Sequence, residues 1–192
     1  AIVFAAVQNK GEMLCCTSPS SALRSDRAIV RAAVKQNGLA LAYASKDLRG
    51  DRDIVSIAIH NNPMAFRNAS PELLDDAAMV LQAVGLEAGV FPSVSLRLRK
   101  DRDIAMAAVQ KDGKMLEYAG SELRADREVV LIAVRENGEA LLYAAAALRS
   151  DPEVVLAAVE RAPEAFKHAL GDVRAARAVA LAAVSRKPAM LR

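Results

Sequence analysis

The 192-residue sequence has no tryptophan, only 4% aromatic residues, two histidines and two cysteines. Cys15 and Cys16 are adjacent and frame no disulfide-stapled domain. As small hydrophobes they suit core or near-core positions. No apolar run approaches 18 residues, so no segment reads as a membrane-crossing helix. No Ser sits in a nucleophile elbow, no Gly-rich loop could cradle a phosphate, and no Cys, His or carboxylate cluster has metal-ligand spacing. His60 and His168 stand about four repeats apart and are expected in packing or capping roles. The sequence is therefore not expected to be an enzyme, and no cofactor or small-molecule substrate is expected. The nine glycines and seven prolines recur at intervals instead of forming a linker or a low-complexity tail.

Apolar residues make up 53% of the chain, and many of them are alanine. A core of Ala, Val and Leu favours closely packed helices over a large ligand pocket. The net charge of +3 permits an anionic partner without requiring one. The sequence opens on Ala inside a repeat and carries no secretory-leader pattern. The expectation is a mature form left by cleavage or the visible portion of a longer protein.

The organising stretch is Asp126 to Ser150. Asp126 precedes an apolar-periodic run and suits a helix N-cap. Val129, Val130, Ala133 and Val134 fall on one helical face. Asn137-Gly138 reads as a turn, with Gly in the left-handed C-cap position. Leu141, Leu142, Ala145 and Leu148 read as a second helix closed by Arg149, where the helix dipole favours a cation. Helices of about ten residues are marginal alone in water. Stacking against the neighbouring copy buries their apolar stripes, which is the logic of a solenoid.

The aspartates 26, 51, 76, 101, 126 and 151 recur every 25 residues. Eight copies are read as one domain over 1–192: 1–25, 26–50, 51–75, 76–100, 101–125, 126–150, 151–175 and a partial 176–192. The first copy is offset by 27 residues, with the extra pair placed in the Thr17-Ser18-Pro19-Ser20 turn. Gly11, Gly38, Gly113 and Gly138 alternate with Pro63, Pro163 and Pro188 at one turn position, which predicts two turn geometries. Phe66 and Phe166 replace Leu where Tyr is lost two residues on, which predicts volume compensation in a shared core. In the fourth copy Gly85 to Pro92 departs from the pattern. Its second helix is expected to be short, delayed or distorted, with Val94 to Leu98 the one strand-like run.

Asp26-Arg27, Asn37-Gly38, Tyr43-Ala44 and Leu48-Arg49 return as Asp126-Arg127, Asn137-Gly138, Tyr143-Ala144 and Leu148-Arg149. This unit resembles a family of unknown function built from short helical repeats, frequent in protist and algal proteins and also found in bacteria. The resemblance covers nearly the whole chain and carries no functional residues with it.

Two arginine columns bear on function. Arg24, Arg49, Arg99, Arg124, Arg149 and Arg174 close the second helix; Arg27, Arg52, Arg102, Arg127 and Arg177 open the first. A basic ladder could track a phosphate backbone, but each Arg lies beside the capping Asp column, and pairing between the two is the favoured reading. The densest basic cluster is Arg97, Arg99, Lys100 and Arg102, beside Phe91 in the irregular copy. These five residues are the candidate partner contact.

The fold expected is an all-α solenoid of about eight helix-turn-helix repeats, spanning roughly 70–80 Å at ordinary helix-packing distances. The function expected is a non-catalytic protein–protein interaction scaffold or a peripheral structural subunit of a larger assembly, with other protein subunits as partners. Bare ends of a solenoid favour a covering partner. The alternative is an RNA-binding repeat protein using its Arg ladders. The resembled family's distribution implies a third reading: an accessory subunit of an organellar, photosynthetic complex, intracellular and reached after removal of a targeting segment. Peripheral attachment to a membrane complex is compatible with any subunit role.

Overall fold

Each copy begins where its aspartate caps a helix. Asp51 Oδ1 accepts hydrogen bonds from the N–H groups of Asp53 at 3.0 Å and Ile54 at 3.1 Å. These are donors that the first turn leaves without an intrahelical partner. Asp26, Asp101, Asp126 and Asp151 cap in the same way, and Asp76 accepts from Met79. Behind each cap runs a ten-residue α-helix: Arg27–Gln36, Arg52–Asn61, Ala77–Leu86, Arg102–Lys111, Arg127–Glu136 and Pro152–Arg161. The expected face is the buried one. Val129, Val130, Ala133 and Val134 are fully inaccessible, and so are Ile54, Val55, Ala58 and Ile59 in the third copy.

The computed structural model describes Leu14 and residues 22–175, which hold the second to seventh copies. Cys15, Cys16, the turn at 17–20, the eighth copy and the first copy apart from Leu14 and 22–25 lie outside the described residues. The chain divides into two units, Ala1–Ser95 and Leu96–Arg192, and the boundary falls inside the fourth copy.

The second half of each copy is not the ten-residue helix expected. In the second, third, fifth and sixth copies it is a six-residue 3₁₀-helix followed by a four-residue α-helix, as in Gly38–Tyr43 and Lys46–Arg49, or Gly138–Tyr143 and Ala146–Arg149; in the seventh, Pro163–His168 is followed by a second 3₁₀-helix, Gly171–Ala175. A 3₁₀-helix has three residues per turn, so residues three apart eclipse. Gly38, Leu41 and Ala44 therefore line one face, and all are buried together with Ala40. The same geometry buries Ala140, Leu141 and Ala144 but leaves Leu142 44% exposed. Leu142 and Ala145 are thus not the core positions that a 3.6 period made them. The 3₁₀ runs exceed the usual three or four residues because they stack. Gly38–Tyr43 packs on Pro63–Asn68 in the first unit, and Gly113–Tyr118 on Gly138–Tyr143 in the second.

The turn glycines are not left-handed C-caps. Among the described residues only Gly171 has positive φ. The long helix ends at an extended residue, Asn37, with φ −143° and ψ 106°; Asn62 before Pro63 has −147° and 106°. One turn geometry therefore serves both residue types. Glycine answers to the neighbouring copy instead. A Cβ on Gly38 would stand 2.3 Å from Ala58 O, and one on Gly138 would stand 2.3 Å from Ala158 O.

Volume compensation in a shared core is also corrected. Phe66 is fully buried and Phe166 half-buried, but Tyr43 is 38% exposed, so the tyrosine ring does not fill the core volume that Phe66 takes. The fourth copy is more regular than its sequence. Ala88–Ser93 is a 3₁₀-helix of the usual length, with Pro92 inside it. The fixed φ of proline lies within the 3₁₀ range. The departure is confined to the next element, a three-residue 3₁₀-helix at Leu98–Lys100. Val94 to Leu98 forms no strand, and no strand occurs among the described residues.

A backbone hydrogen bond fastens each copy to the next at a constant offset of 21 residues. Ser45 N–H donates to Arg24 O at 2.8 Å, Ser70 to Arg49 at 2.9 Å and Ser95 to Leu74 at 3.1 Å in the first unit. In the second, Gly120 donates to Arg99 at 3.0 Å, Ala145 to Arg124 at 2.8 Å and Leu170 to Arg149 at 2.9 Å. Each unit is an all-α helical repeat solenoid. No described helix is long and apolar enough to cross a membrane.

Candidate protein-interaction face

The opening arginines are committed to the fold. Arg27 Nε donates to Asp51 Oδ2 at 2.9 Å, and its Nη2 reaches Asp53 Oδ2 at 2.9 Å. Arg52 pairs with Asp76, Arg102 with Asp126 and Glu128, and Arg127 with Asp151 and Glu153. Asp51, Asp76, Asp126 and Asp151 thus cap their own helices through Oδ1 and hold the preceding copy's guanidinium through Oδ2. The Arg27 guanidinium holds the Asp51 carboxyl below the ordinary carboxylate range. Burial pushes Asp126 up, but the Val129 N–H and the Arg102 guanidinium outweigh it and leave Asp126 lowered. The ladder is interrupted at Ala77, 24 residues before Asp101, and it ends where Pro152 replaces the arginine and Ala176 the aspartate 24 residues on.

The five candidate contacts do not form one surface patch. Phe91 is fully buried in the first unit's core and offers nothing to a partner, so its selection is corrected. Proline at 92 made the segment look broken, whereas the helix continues through it. Arg97 and Lys100 are exposed, and Arg99 is half-buried. Arg102 is exposed, but carboxylates hold its guanidinium.

The other polar positions act as clasps. Glu139 Oε2 accepts from Lys167 Nζ at 2.9 Å and lies 3.2 Å from His168 Nε2. His168 O accepts from Arg149 Nε at 2.8 Å. Burial raises the pKa of Tyr143, and the Glu117 carboxylate adds to it; this is the wrong direction for an activated phenolate. His60 is exposed on the last turn of its helix, with Nδ1 2.8 Å from Ser56 O. Among the described residues no group of three or more His, Cys, Asp or Glu could hold a metal ion.

The outward side of the long helices carries few such fastenings, the bond from Gln82 Nε2 to Ser56 Oγ at 3.4 Å among them. Six residues after each capping aspartate, the column reads Ala32, Ile57, Gln82, Ala107, Ile132 and Ala157. The column before it reads Arg31, Ser56, Leu81, Met106, Leu131 and Leu156, and the one three further on reads Lys35, His60, Gly85, Gln110, Arg135 and Glu160. In the second unit Met106, Ile132 and Leu156 are half-buried and form an apolar strip with Leu131 across three successive helices. A depression of about 410 Å³ opens beside Leu156 and Ala157, edged by Arg135, Glu153, Glu160 and Arg161. In the first unit, two depressions of about 390 and 520 Å³ adjoin along Arg27–Gln36 and Arg52–Asn61 and share Lys35 and Ile57. The sequence reading passed over these columns because it weighed residues that repeat, and these do not. The signal available was Arg31 and Lys35, one turn apart on one helix.

A family model described as "Domain of unknown function (DUF4116)" matches residues 2–49, 26–74, 51–88, 76–124 and 126–173. Most of these matches cover two copies, and those at 26, 51, 76 and 126 start on capping aspartates. No curated protein and no solved structure matches the chain. The matched segments take in most of the sequence and follow its 25-residue period, and the chain accordingly belongs to the DUF4116 family, a domain of unknown function.

Proposed function

We propose that this chain is a non-catalytic scaffold that binds other proteins through the outward face of its long helices. The observation that carries the reading is the apolar strip of Met106, Leu131, Ile132 and Leu156. Half-buried apolar residues that recur across neighbouring helices with polar edges are the usual make-up of a protein contact. The RNA-binding alternative loses support from the pairing of the opening arginines. A guanidinium already held by carboxylates of the next copy releases little on meeting a phosphate.

The test is native size fractionation of source extract, with and without nuclease, following this chain and its Leu156→Glu variant by mass spectrometry. The expected result is a large, nuclease-resistant particle from which L156E is lost while its circular dichroism is unchanged. Migration at the chain's own mass in both conditions overturns the scaffold reading. A collapse to small size after nuclease makes RNA binding the better one.

A further inference from the structure

The two grooves on the long helices differ in charge. In the second unit the groove edges carry both signs, Arg135 and Arg161 against Glu153 and Glu160. In the first unit the described residues that line the linked depressions are Arg31, Lys35, His60, Ala32, Ile57 and their immediate neighbours, with no acidic side chain among them. Arg31, Lys35 and His60 are exposed. Asp53, on the same helix as Ile57 and His60, is held by Arg27 at 2.9 Å. No ion pair engages Arg31 or Lys35 among the described residues, unlike Arg27 and Arg52 on the same two helices. Arg31 is also the only cation in its column.

From this we infer that the groove between Arg27–Gln36 and Arg52–Asn61 is a docking site for an acidic protein segment. Carboxylates flanking a single apolar side chain would meet Arg31 and Lys35 while the apolar group rests on Ala32 and Ile57. The inference rests on the scaffold reading and names the chemistry of one partner. Charge complementarity selects the occupant: two unpaired cations one helical turn apart, over an apolar floor, favour an anion with an apolar anchor. A nucleic acid fits less well, because single strands are held by stacking on aromatic rings. Among the described residues no aromatic side chain lines this groove.

The experiment uses the full chain and a fluorescein-labelled peptide of glutamates flanking a central Leu-Leu pair, read by fluorescence anisotropy. A peptide with glutamines in place of the glutamates, and a single-stranded RNA oligonucleotide of matched charge, serve as comparisons. The glutamate peptide is expected to bind, with affinity falling as salt rises, and to outbind both comparisons. The double variant Arg31→Glu/Lys35→Glu should weaken it at least about tenfold. Arg135→Glu, in the mixed-charge groove, should leave it unchanged. Absence of peptide binding, equal binding of the glutamine peptide, equal loss in R135E, or tighter binding of the RNA each overturns the inference. These outcomes are separable from failure of the scaffold reading. If the double variant still enters the large particle and the peptide does not bind, the scaffold stands and this groove is not its contact.

Discussion

The same substitution, Gly to Ala, should have opposite effects at Gly138 and at Gly85. A Cβ on Gly138 would lie 2.3 Å from Ala158 O, 2.8 Å from Ala162 Cβ and 2.9 Å from Ala162 N. Two of the three are backbone atoms of the next copy, so no side chain can swing away, and the copies must separate. Overpacking of that kind costs about 2–3 kcal/mol, less about 0.4–1 kcal/mol that Ala gains by restricting the unfolded chain, leaving a net loss of about 1–2.5 kcal/mol. For a chain of this size the melting midpoint should fall by about 2–10 °C. Gly85 is exposed within Ala77–Leu86, and a Cβ there meets nothing within 4 Å. Gly85→Ala should therefore stabilise by about 0.5–1 kcal/mol and raise the midpoint by about 1–4 °C. Thermal melts followed by circular dichroism check both. A midpoint for G138A at or above that of the parent, or a loss in G85A as large as in G138A, would refute the reasoning. The third copy already carries Pro63 at the Gly138 position, so the measurement reads what Ala158 and Ala162 must give up to admit a Cβ.

Asp126→Ala removes the N-cap of Arg127–Glu136 and the acceptor of Arg102 together, while Asp126→Asn keeps a good cap and loses the charge. D126A should cost about 1–2 kcal/mol and D126N clearly less, with the difference read by urea titration. Leu141→Ala, at a fully buried site, should destabilise by about 2–5 kcal/mol, whereas Leu142→Ala at its exposed neighbour should stay within about 0.5 kcal/mol. Equal effects would remove the 3₁₀ assignment. The carboxyl groups of Asp51, Asp76, Asp126 and Asp151 are held below their ordinary value of 3.8 in the fold. A depressed folded-state pKa means that the unfolded chain takes up protons first. The stability these groups contribute is therefore complete above the ordinary value and lost as pH falls through and below it. Urea midpoints measured from pH 7 down to pH 3 should be flat at first and then drop, and a drop well above pH 5 would point to other groups.

The first half of each copy was legible because its determinants are local. An aspartate caps within three residues of itself, and Val129, Val130, Ala133 and Val134 share a face because they sit in one ten-residue helix. The second half was misread because Leu141, Ala145 and Leu148 satisfy a 3.6 period as readily as Gly138, Leu141 and Ala144 satisfy a period of three. Only the stacking of neighbouring 3₁₀-helices decides between them. Gly138 looked like turn punctuation, yet what demands it is Ala158 O, 20 residues away in the next copy. Phe91 looked available because Pro92 seemed to end its helix. The pairing of Asp and Arg columns was legible as neutralisation, but not its direction: Arg27 reaches forward to Asp51, not back to Asp26.

That direction separates fastening from function. Three kinds of contact repeat along the described copies: the backbone bond at an offset of 21, the arginine-to-aspartate bond at 24, and the apolar contacts of the buried columns. The backbone bond asks nothing of the side chain, but the other two need nearly the same residue type in each copy, and the sequence supplies it except at Ala77 and Pro152 in the arginine column. The columns headed by Arg31 and Lys35 obey no such rule. One runs from Arg through Ser to Leu, Met, Leu and Leu, the other from Lys through His, Gly and Gln to Arg and Glu. Were these residues needed to hold copies together, they would repeat as the buried ones do. Apart from the contacts of Ser56 and His60 with Gln82, they are free of that duty and can differ along the chain, and they leave a cationic groove in one unit and an apolar strip in the other. A scaffold that reads different features of its partners with different copies needs that freedom on one face and uniformity on the rest.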